Sequence, residues 1–410
     1  MDALGLTRKD TYLFEPNRSE WVAAYRCAEN FCTPFYLFDE KQICENIKSL
    51  RIRFGDSVRI SYAMKANPWL AKTASDDADY IEVSSAGELS ACTAQRITSE
   101  QITFDGVGMT EADICSALHM GVRRFCVDSV LQWDCLKKNS GSRPLTVLLR
   151  VADGGQFGMD LEDIRKCLAD SSGLHVSGIQ YYSGTQRTDI RQVRRFLEQM
   201  QACLESCRKE LGLYPEELEF GPGLGYPYFE EDRAEDYTKC LDLISDWIRC
   251  KKREFQITFE GGRILAASCG VYVTEVISEK TLNNTRYVFC QGGTGHIQYH
   301  GGILGIRTPR MDGLYSCPEG RLGKIVLCGP LCSRDDILSA DCRTLDCGLR
   351  IGDRIIFYGV GAYSATLSPG FFLCLGLPRI VLYKNKSGIP RQAVCVRDTL
   401  DAWPLLSQRK

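Results

Sequence analysis

Four short segments carry residues whose types and spacing could do chemistry. The first is Ser61-Tyr-Ala-Met-Lys65-Ala-Asn67, which follows a run rich in β-branched residues. A lysine flanked by apolar side chains gives up its proton more easily than a solvated one and can then form a Schiff base with a carbonyl. A surface lysine with its stem laid along apolar neighbours would satisfy the same pattern. The second is Gly221-Pro-Gly223-Leu-Gly225, whose glycines would let backbone N–H groups approach a phosphate; a plain tight turn is the simpler reading. The third, Glu260-Gly-Gly-Arg263, offers a carboxylate and a guanidinium, as two functional charges or as a loop ion pair. The fourth, Gly329-Pro-Leu-Cys332-Ser-Arg-Asp-Asp336, sets a thiol and carboxylates on one turn, although Asp is common in turns for local reasons alone.

These segments need elements to position them. From about residue 34 short β-branched or aromatic runs alternate with amphipathic stretches: strands are predicted at Phe35–Phe38, Val58–Tyr62, Tyr80–Val83, Ile102–Phe104, Arg124–Val127, Leu145–Val151, Val176–Tyr181, Glu217–Phe220 and Gln256–Glu260. Helical patterns lie between them, as at Asp189–Glu210 and Ala234–Lys252. A β-then-α alternation repeated about eight times predicts an α/β fold, a parallel (β/α)8 TIM barrel, over an open doubly wound sheet. Lys65 then falls at the carboxyl end of a strand, the face where barrel enzymes place their sites. After Ala266 the helical period fades and short strands alternate with Gly, Pro and Asp turns, which predicts a C-terminal all-β domain. The expected division is a barrel over 33–267, with 1–32 and 268–410 forming the β domain.

A chain of 410 residues exceeds what one core usually organises. Its 50 basic and 52 acidic side chains nearly cancel, so no basic field gathers nucleic acid or anionic lipid. Met1–Glu20 is polar, without the apolar run of a signal peptide, and no segment approaches the roughly 20 apolar residues of a membrane span. A cytoplasmic protein is expected. The 21 cysteines are scattered without Cys-x-x-Cys spacing, which points to small buried apolar residues and no metal site.

Tyr62-Ala-Met-Lys65-Ala-Asn67 strongly resembles the cofactor-lysine motif of the fold-type III pyridoxal-phosphate decarboxylases, the family of diaminopimelate, ornithine and arginine decarboxylases. The resemblance runs through ordered motifs from about Pro34 to Pro378. It implies an alanine-racemase-like barrel, a C-terminal β domain, pyridoxal 5'-phosphate as cofactor, and a homodimer with shared active sites. By this resemblance Lys65 holds the cofactor, while Gly221, Gly223, Gly225, Thr185, Arg263 and Tyr363 take its phosphate. Glu260 keeps the ring nitrogen protonated, so that the ring accepts electrons. Glu82, Glu88 and Arg150 lie near the cofactor. Cys332, from the partner chain, returns a proton to the substrate's α-carbon, and Asp336 lies near the substrate end.

Departures from the family pattern bear on substrate. Tyr182 stands where relatives stack a histidine on the ring; a phenol stacks equally well but carries no positive charge. Ser333 replaces an acidic residue suited to gripping a distal ammonium, and the segment from Gln291 through His296 to Tyr299 has no arginine where diaminopimelate decarboxylases clamp the far carboxylate. Ser333, Tyr299, His296 and Asp336 are therefore the candidate substrate residues. The loop between Arg150 and Gln156 is unusually short. Gln156-Phe-Gly-Met-Asp160, Tyr182 with Gly184-Thr185-Gln186, Tyr272–Val276 and Gly329–Cys332 are similar to a secondary-metabolite branch, such as the carrier-protein glutamyl decarboxylase of butirosin assembly. The resemblance thus implies decarboxylation of a small amino acid, conjugated or tethered to an acyl-carrier protein, for an antibiotic or siderophore. Three alternatives are a diaminopimelate, ornithine or lysine decarboxylase of primary metabolism, a racemase, and a non-catalytic cofactor-binding regulator. Glu260 and Cys332 argue against racemisation, and retention of both Lys65 and Cys332 argues against a regulator.

Overall fold

The computed structural model describes residues 13–142, 144–171, 173–299, 304–314, 324–342, 348–385 and 391–398. The chain divides into two compact units. One comprises Cys44–Gly225 with Glu235–Leu265, and the other Met1–Ile43, Tyr226–Ala234 and Ala266–Lys410.

Strand β1 (Phe35–Asp39) precedes eight strands that close the first unit into a parallel barrel: β2 (Arg59–Ala63), β3 (Tyr80–Val83), β4 (Ile102–Asp105), β5 (Arg124–Val127), β6 (Thr146–Arg150), β7 (His175–Tyr182), β8 (Glu217–Gly221) and β9 (Gln256–Gly261). Pairing of β2 with β9, in the register Ser61↔Glu260, closes the ring. Helices run between successive strands, each set by local signals. Ile190–Leu211 starts at Asp189, whose side chain accepts from the Arg191 N–H, and stops at Gly212 in a left-handed conformation. Its buried Val193, Phe196, Leu197, Met200, Leu204 and Cys207 follow the three-and-four spacing of a single face.

The second unit is built on a mixed sheet in the order β14-β13-β11-β10-β1-β16-β17. Its remaining strands are β10 (Gly270–Leu282), β11 (Thr285–Cys290), β12 (Met311–Leu314), β13 (Lys324–Cys328), β14 (Ile337–Ser339), β15 (Arg354–Tyr358), β16 (Arg379–Lys384) and β17 (Gln392–Arg397); β15 pairs with β10 and β12. The helix Arg18–Ala28 packs Trp21, Ala24 and Ala28 onto Phe35, Leu37, Val271, Val273, Ile356 and Val381.

The predicted barrel with a β domain is the observed architecture. One strand is assigned differently. The run Phe35–Phe38, taken above into the barrel segment beginning at residue 33, pairs antiparallel with β10 and parallel with β16 in the second sheet. All five residues of β1 are buried, and an apolar run buried on both faces reads alike in a barrel and in the middle of an open sheet.

Candidate active site

Lys65 occupies a single 3-10 turn, Met64–Ala66, directly after β2. The turn is fixed on both sides. Tyr62 donates its hydroxyl to the Asn67 carbonyl at 2.9 Å, and the Asn67 side chain accepts from the Trp69 N–H at 3.1 Å. Because Ala63 is in register with Glu82 on β3, the lysine ammonium meets the Glu82 carboxylate as an ion pair. Glu82 is buried. Glu88, one turn into the next helix, accepts from the Ser84 N–H at 2.7 Å and feels the Lys65 charge, while burial raises its pKa.

Glu82, Asp105 and Glu260, near the ends of β3, β4 and β9, bring carboxylate oxygens within 4.8 Å of one another, all buried. Gln180 on β7 joins two of them: its side-chain N–H2 donates to Asp105 Oδ2 at 2.8 Å and to Glu260 Oε1 at 2.6 Å. Arg150, ending β6, holds its guanidinium 3.9 Å from Asp105 and 3.6 Å from Asp128, and 5.8 Å from the Tyr182 ring. Burial, with repulsion from Glu82, pushes the Asp105 carboxyl up to about 6. Burial and then Glu82, Glu219 and Asp105 push Glu260 well above the usual carboxylate range. The pocket is short of positive charge.

The loops after β7 and β8 are zipped together. The Arg187 N–H donates to the Gly223 carbonyl and the Gly225 N–H to the Arg187 carbonyl, both at 2.9 Å. The Arg187 guanidinium also donates to the Pro222 carbonyl at 2.7 Å and to the carbonyls of Ser183 and Gly184. Two glycines of the motif have no alternative. A Cβ on Gly221 would lie 2.6 Å from the Tyr182 ring and 2.7 Å from Glu260, and one on Gly223, at φ +58°, would lie 2.1 Å from the Gly184 carbonyl. Thr185 is exposed on the first of these loops, and Arg263 is buried at the start of the helix Arg263–Ala266.

In the second unit, Cys332 and Ser333 are exposed on the loop between β13 and β14. Tyr363 adopts a left-handed backbone, φ +65°, a conformation a bulky side chain rarely takes and one that concentrates at functional sites. Three candidate substrate residues differ from expectation. Tyr299 is a core residue: it packs against Tyr228 and Phe229 and donates its hydroxyl to the Tyr358 carbonyl at 2.9 Å. Asp336 is buried and fully engaged by its own surroundings, accepting from the Thr294 N–H at 2.7 Å, the Thr294 hydroxyl at 2.8 Å and the Leu331 N–H at 2.8 Å. It is a loop staple. His296 is buried, and burial lowers its imidazole pKa so that it stays neutral. For Tyr299 and Asp336 a polar side chain that reads as available in a linear sequence is consumed by its neighbours; both ring nitrogens of His296 are buried without a hydrogen bond among the described residues.

Sequence reasoning missed Asp105, Gln180 and Asp128. A signal was present: Asp105 closes β4 and Asp128 directly follows β5, as Arg150 closes β6 and Glu82 lies one residue from the end of β3, and such positions gather on one barrel face.

Comparison with known proteins identifies the family. The family model for the pyridoxal-binding domain of pyridoxal-dependent decarboxylases matches residues 40–267. The chain is 29% identical over 392 residues to the L-glutamyl-(BtrI acyl-carrier protein) decarboxylase of Niallia circulans, spanning 88% of this chain and 90% of that protein. It is 27% identical over 380 residues to the diaminopimelate decarboxylase of Aquifex aeolicus, spanning 85% and 86%. The crystal structure of the M. jannaschii diaminopimelate decarboxylase in complex with L-lysine superposes with a TM-score of 0.79 at 22% identity, covering 95% of this chain and 94% of that one, which shows a shared fold. Pyridoxal phosphate fits the residues present, since a protonated ring nitrogen would bring positive charge to a cluster of three buried carboxylates whose observed cations are Lys65, on Glu82, and Arg150, 3.9 Å from Asp105. A barrel whose strand ends are fitted to that cofactor, in a chain more than half spanned by the family's own model, belongs to the fold-type III pyridoxal-phosphate-dependent decarboxylases.

Proposed function

We propose that this enzyme decarboxylates an amino acid whose distal group is carried as an amide, thioester or other conjugate, or is tethered to an acyl-carrier protein, in secondary-metabolite biosynthesis. The observation that carries the reading is the loop Gly329–Asp336. Ser333 is neutral, and among the described residues the Asp336 carboxylate accepts from Thr294 and Leu331, which anchor two loops to each other. A terminal ammonium placed there would lack the counter-charge these positions could have supplied, a loss of several kcal/mol if it is buried. The carrier-protein substrate in the name of the Niallia circulans relative points the same way. Tyr299, locked in the core, adds nothing to the argument.

Bound pyridoxal phosphate supplies an electron sink for the pair released when the bond between the α-carbon and the carboxylate breaks. The residues divide the remaining tasks. Lys65 holds the cofactor through its amine, and Glu82 holds Lys65. Glu260 would place negative charge at the ring nitrogen, and Tyr182 would stack on the ring. Thr185, the Gly221–Gly225 turn, Arg263 and Tyr363 take the phosphate, with Arg150 as a nearby cation. Cys332, exposed on its loop, reaches the site of a partner chain in a two-fold dimer and hands a proton to the α-carbon.

A second reading, a free diamino acid, is favoured by the diaminopimelate decarboxylases among the relatives and by the exposed Asp335 carboxylate on the same loop. Carbon dioxide release from lysine, ornithine and diaminopimelate, measured beside a glutamyl-carrier thioester and a citryl-diamino acid conjugate, decides between them. The conjugates should be turned over at least about 100-fold more efficiently, the scale set by leaving a charged end unpaired. A free diamino acid that matches them returns the enzyme to primary metabolism.

A further inference from the structure

Gln180 lies at the centre of the carboxylate cluster and is 2% exposed. Both hydrogen bonds its side-chain nitrogen makes go to carboxylate oxygens, Asp105 Oδ2 and Glu260 Oε1. An amide N–H2 has two hydrogens and cannot titrate, so each of these oxygens is an acceptor, and an ionised carboxylate is the stronger acceptor of such a bond. The bond to Glu260 therefore favours its ionised form, against the burial that disfavours it. The second bond stops the amide from turning. Without Asp105 the Gln180 side chain would have one anchor, and the direction in which it presents its hydrogen to Glu260 would be free. The amide oxygen of Gln180 and Asp105 Oδ1 are buried and make no hydrogen bond among the described residues, so the pair keeps acceptor capacity of its own.

We propose that Gln180 and Asp105 are positioning residues for Glu260: the amide clamps the Glu260 carboxylate in one orientation and in its ionised form, with Asp105 as the clamp's anchor. The proposal rests on the reading of Glu260 as the partner of the cofactor's ring nitrogen. A carboxylate serves that nitrogen only while it is ionised and aimed, and nothing else observed around Glu260 does both. Glu82 on β3, Asp105 on β4 and Glu219 on β8 repel its charge; Lys65 after β2 and Arg150 on β6 attract it, the first already paired with Glu82. The Cys126 thiol on β5, held protonated by burial, contributes no charge.

Three variants of the holoenzyme test this: Gln180→Leu, which removes both donors at similar size, Asp105→Ala, which removes the anchor, and Glu260→Gln as reference. The readouts are the pH titration of the bound cofactor's visible absorbance, the affinity of apoenzyme for pyridoxal phosphate by fluorescence, the apoenzyme Tm, and kcat and KM against pH. Gln180→Leu should lower kcat about 10- to 100-fold with KM within about threefold, and weaken cofactor binding about tenfold, as expected for loss of a hydrogen bond to a charged group. Since the ionised carboxylate loses a donor, its pKa rises, and the acid limb of both titrations should move up by about one unit. Asp105→Ala removes a charge that repels Glu260 together with the anchor, two effects of opposite sign on the limb, so its readout is kcat, which should fall by a smaller factor than in Gln180→Leu with KM little changed. If Glu260→Gln shifts the spectrum but Gln180→Leu does not move the limb, and in both Gln180→Leu and Asp105→Ala only Tm falls while kcat holds, the two residues merely pack and the proposal is overturned. If Glu260→Gln itself leaves spectrum and affinity unchanged, the assignment of Glu260 fails first.

Discussion

Lys65 is nearly half exposed, yet its ammonium meets a Glu82 side chain that is almost wholly buried. A cation at the rim of a carboxylate pocket is suited to exchange between an ion pair and a bound cofactor. Lys65→Ala should therefore reduce turnover by about a thousandfold or more, and borohydride reduction of the holoenzyme should fix the cofactor to the peptide containing Lys65; labelling of another lysine would remove the assignment. Asp336 makes a different kind of prediction. Its three bonds hold Gly293 and Gly329 so close that a Cβ on either would come within 2.3 Å of the carboxylate. Asp336→Ala should lower unfolding stability by about 2–3 kcal/mol in denaturant titrations, since buried N–H groups lose their acceptor. It should also slow the proton return assigned to Cys332 by loosening that loop. A variant of unchanged stability would mean that the loop holds itself.

The loops after β7 and β8 behave as one element because the Arg187 and Gly223 backbones bond directly and the Arg187 guanidinium spans both. Gly223→Ala forces a methyl toward the Gly184 carbonyl at a positive φ and must part the loops. The expected result is roughly tenfold weaker cofactor binding with little change in the barrel's thermal transition, from 1–2 kcal/mol of local strain. Equilibrium dialysis of the apoenzyme measures it, and unaltered affinity would show that the phosphate binds elsewhere. Near the amino ends of the strands, Arg124 on β5 donates to both oxygens of Glu217 at 2.8 Å and to Glu219 at 2.5 Å, deep inside the barrel. Arg124→Met leaves buried Glu219 without this cation and Glu217 with Arg59 at 3.6 Å, and should cost about 3–5 kcal/mol of stability, read from the denaturation midpoint of the apoenzyme.

At the scale of the molecule, the balanced charge, −2 overall, gives no long-range field toward nucleic acid or lipid. Among the described residues no helix is long and apolar enough to cross a membrane. The proposed dimer is open to a direct test. Lys65→Ala and Cys332→Ala subunits are each expected to be nearly inactive, but a mixed dimer places an intact Lys65 opposite an intact Cys332 at one of its two sites. Random reassortment should restore about a quarter of wild-type activity. A mixture as inactive as its parents would show that both residues serve the same chain.

The sequence by itself determined the barrel, the β tail and the lysine motif, because these rest on local rules: period-2 and period-3.6 patterning, glycines where a Cβ has no room, and a lysine placed just after a strand. Most strand bounds predicted from these patterns agree with the structure to within two residues. Tertiary structure decided the rest. Whether β1 joins the barrel or the second sheet depends on partners more than 200 residues away, Val271 and Val273, since β1 carries only an apolar run that suits either. Whether Tyr299, His296 and Asp336 are free to meet a ligand depends on what packs against them, and a linear sequence shows a side chain's polarity but not who satisfies it. Asp105 and Gln180 escaped notice for the same reason. They lie 75 residues apart, and only closure of the eight strands brings the Gln180 amide to 2.8 Å from one carboxylate and 2.6 Å from another.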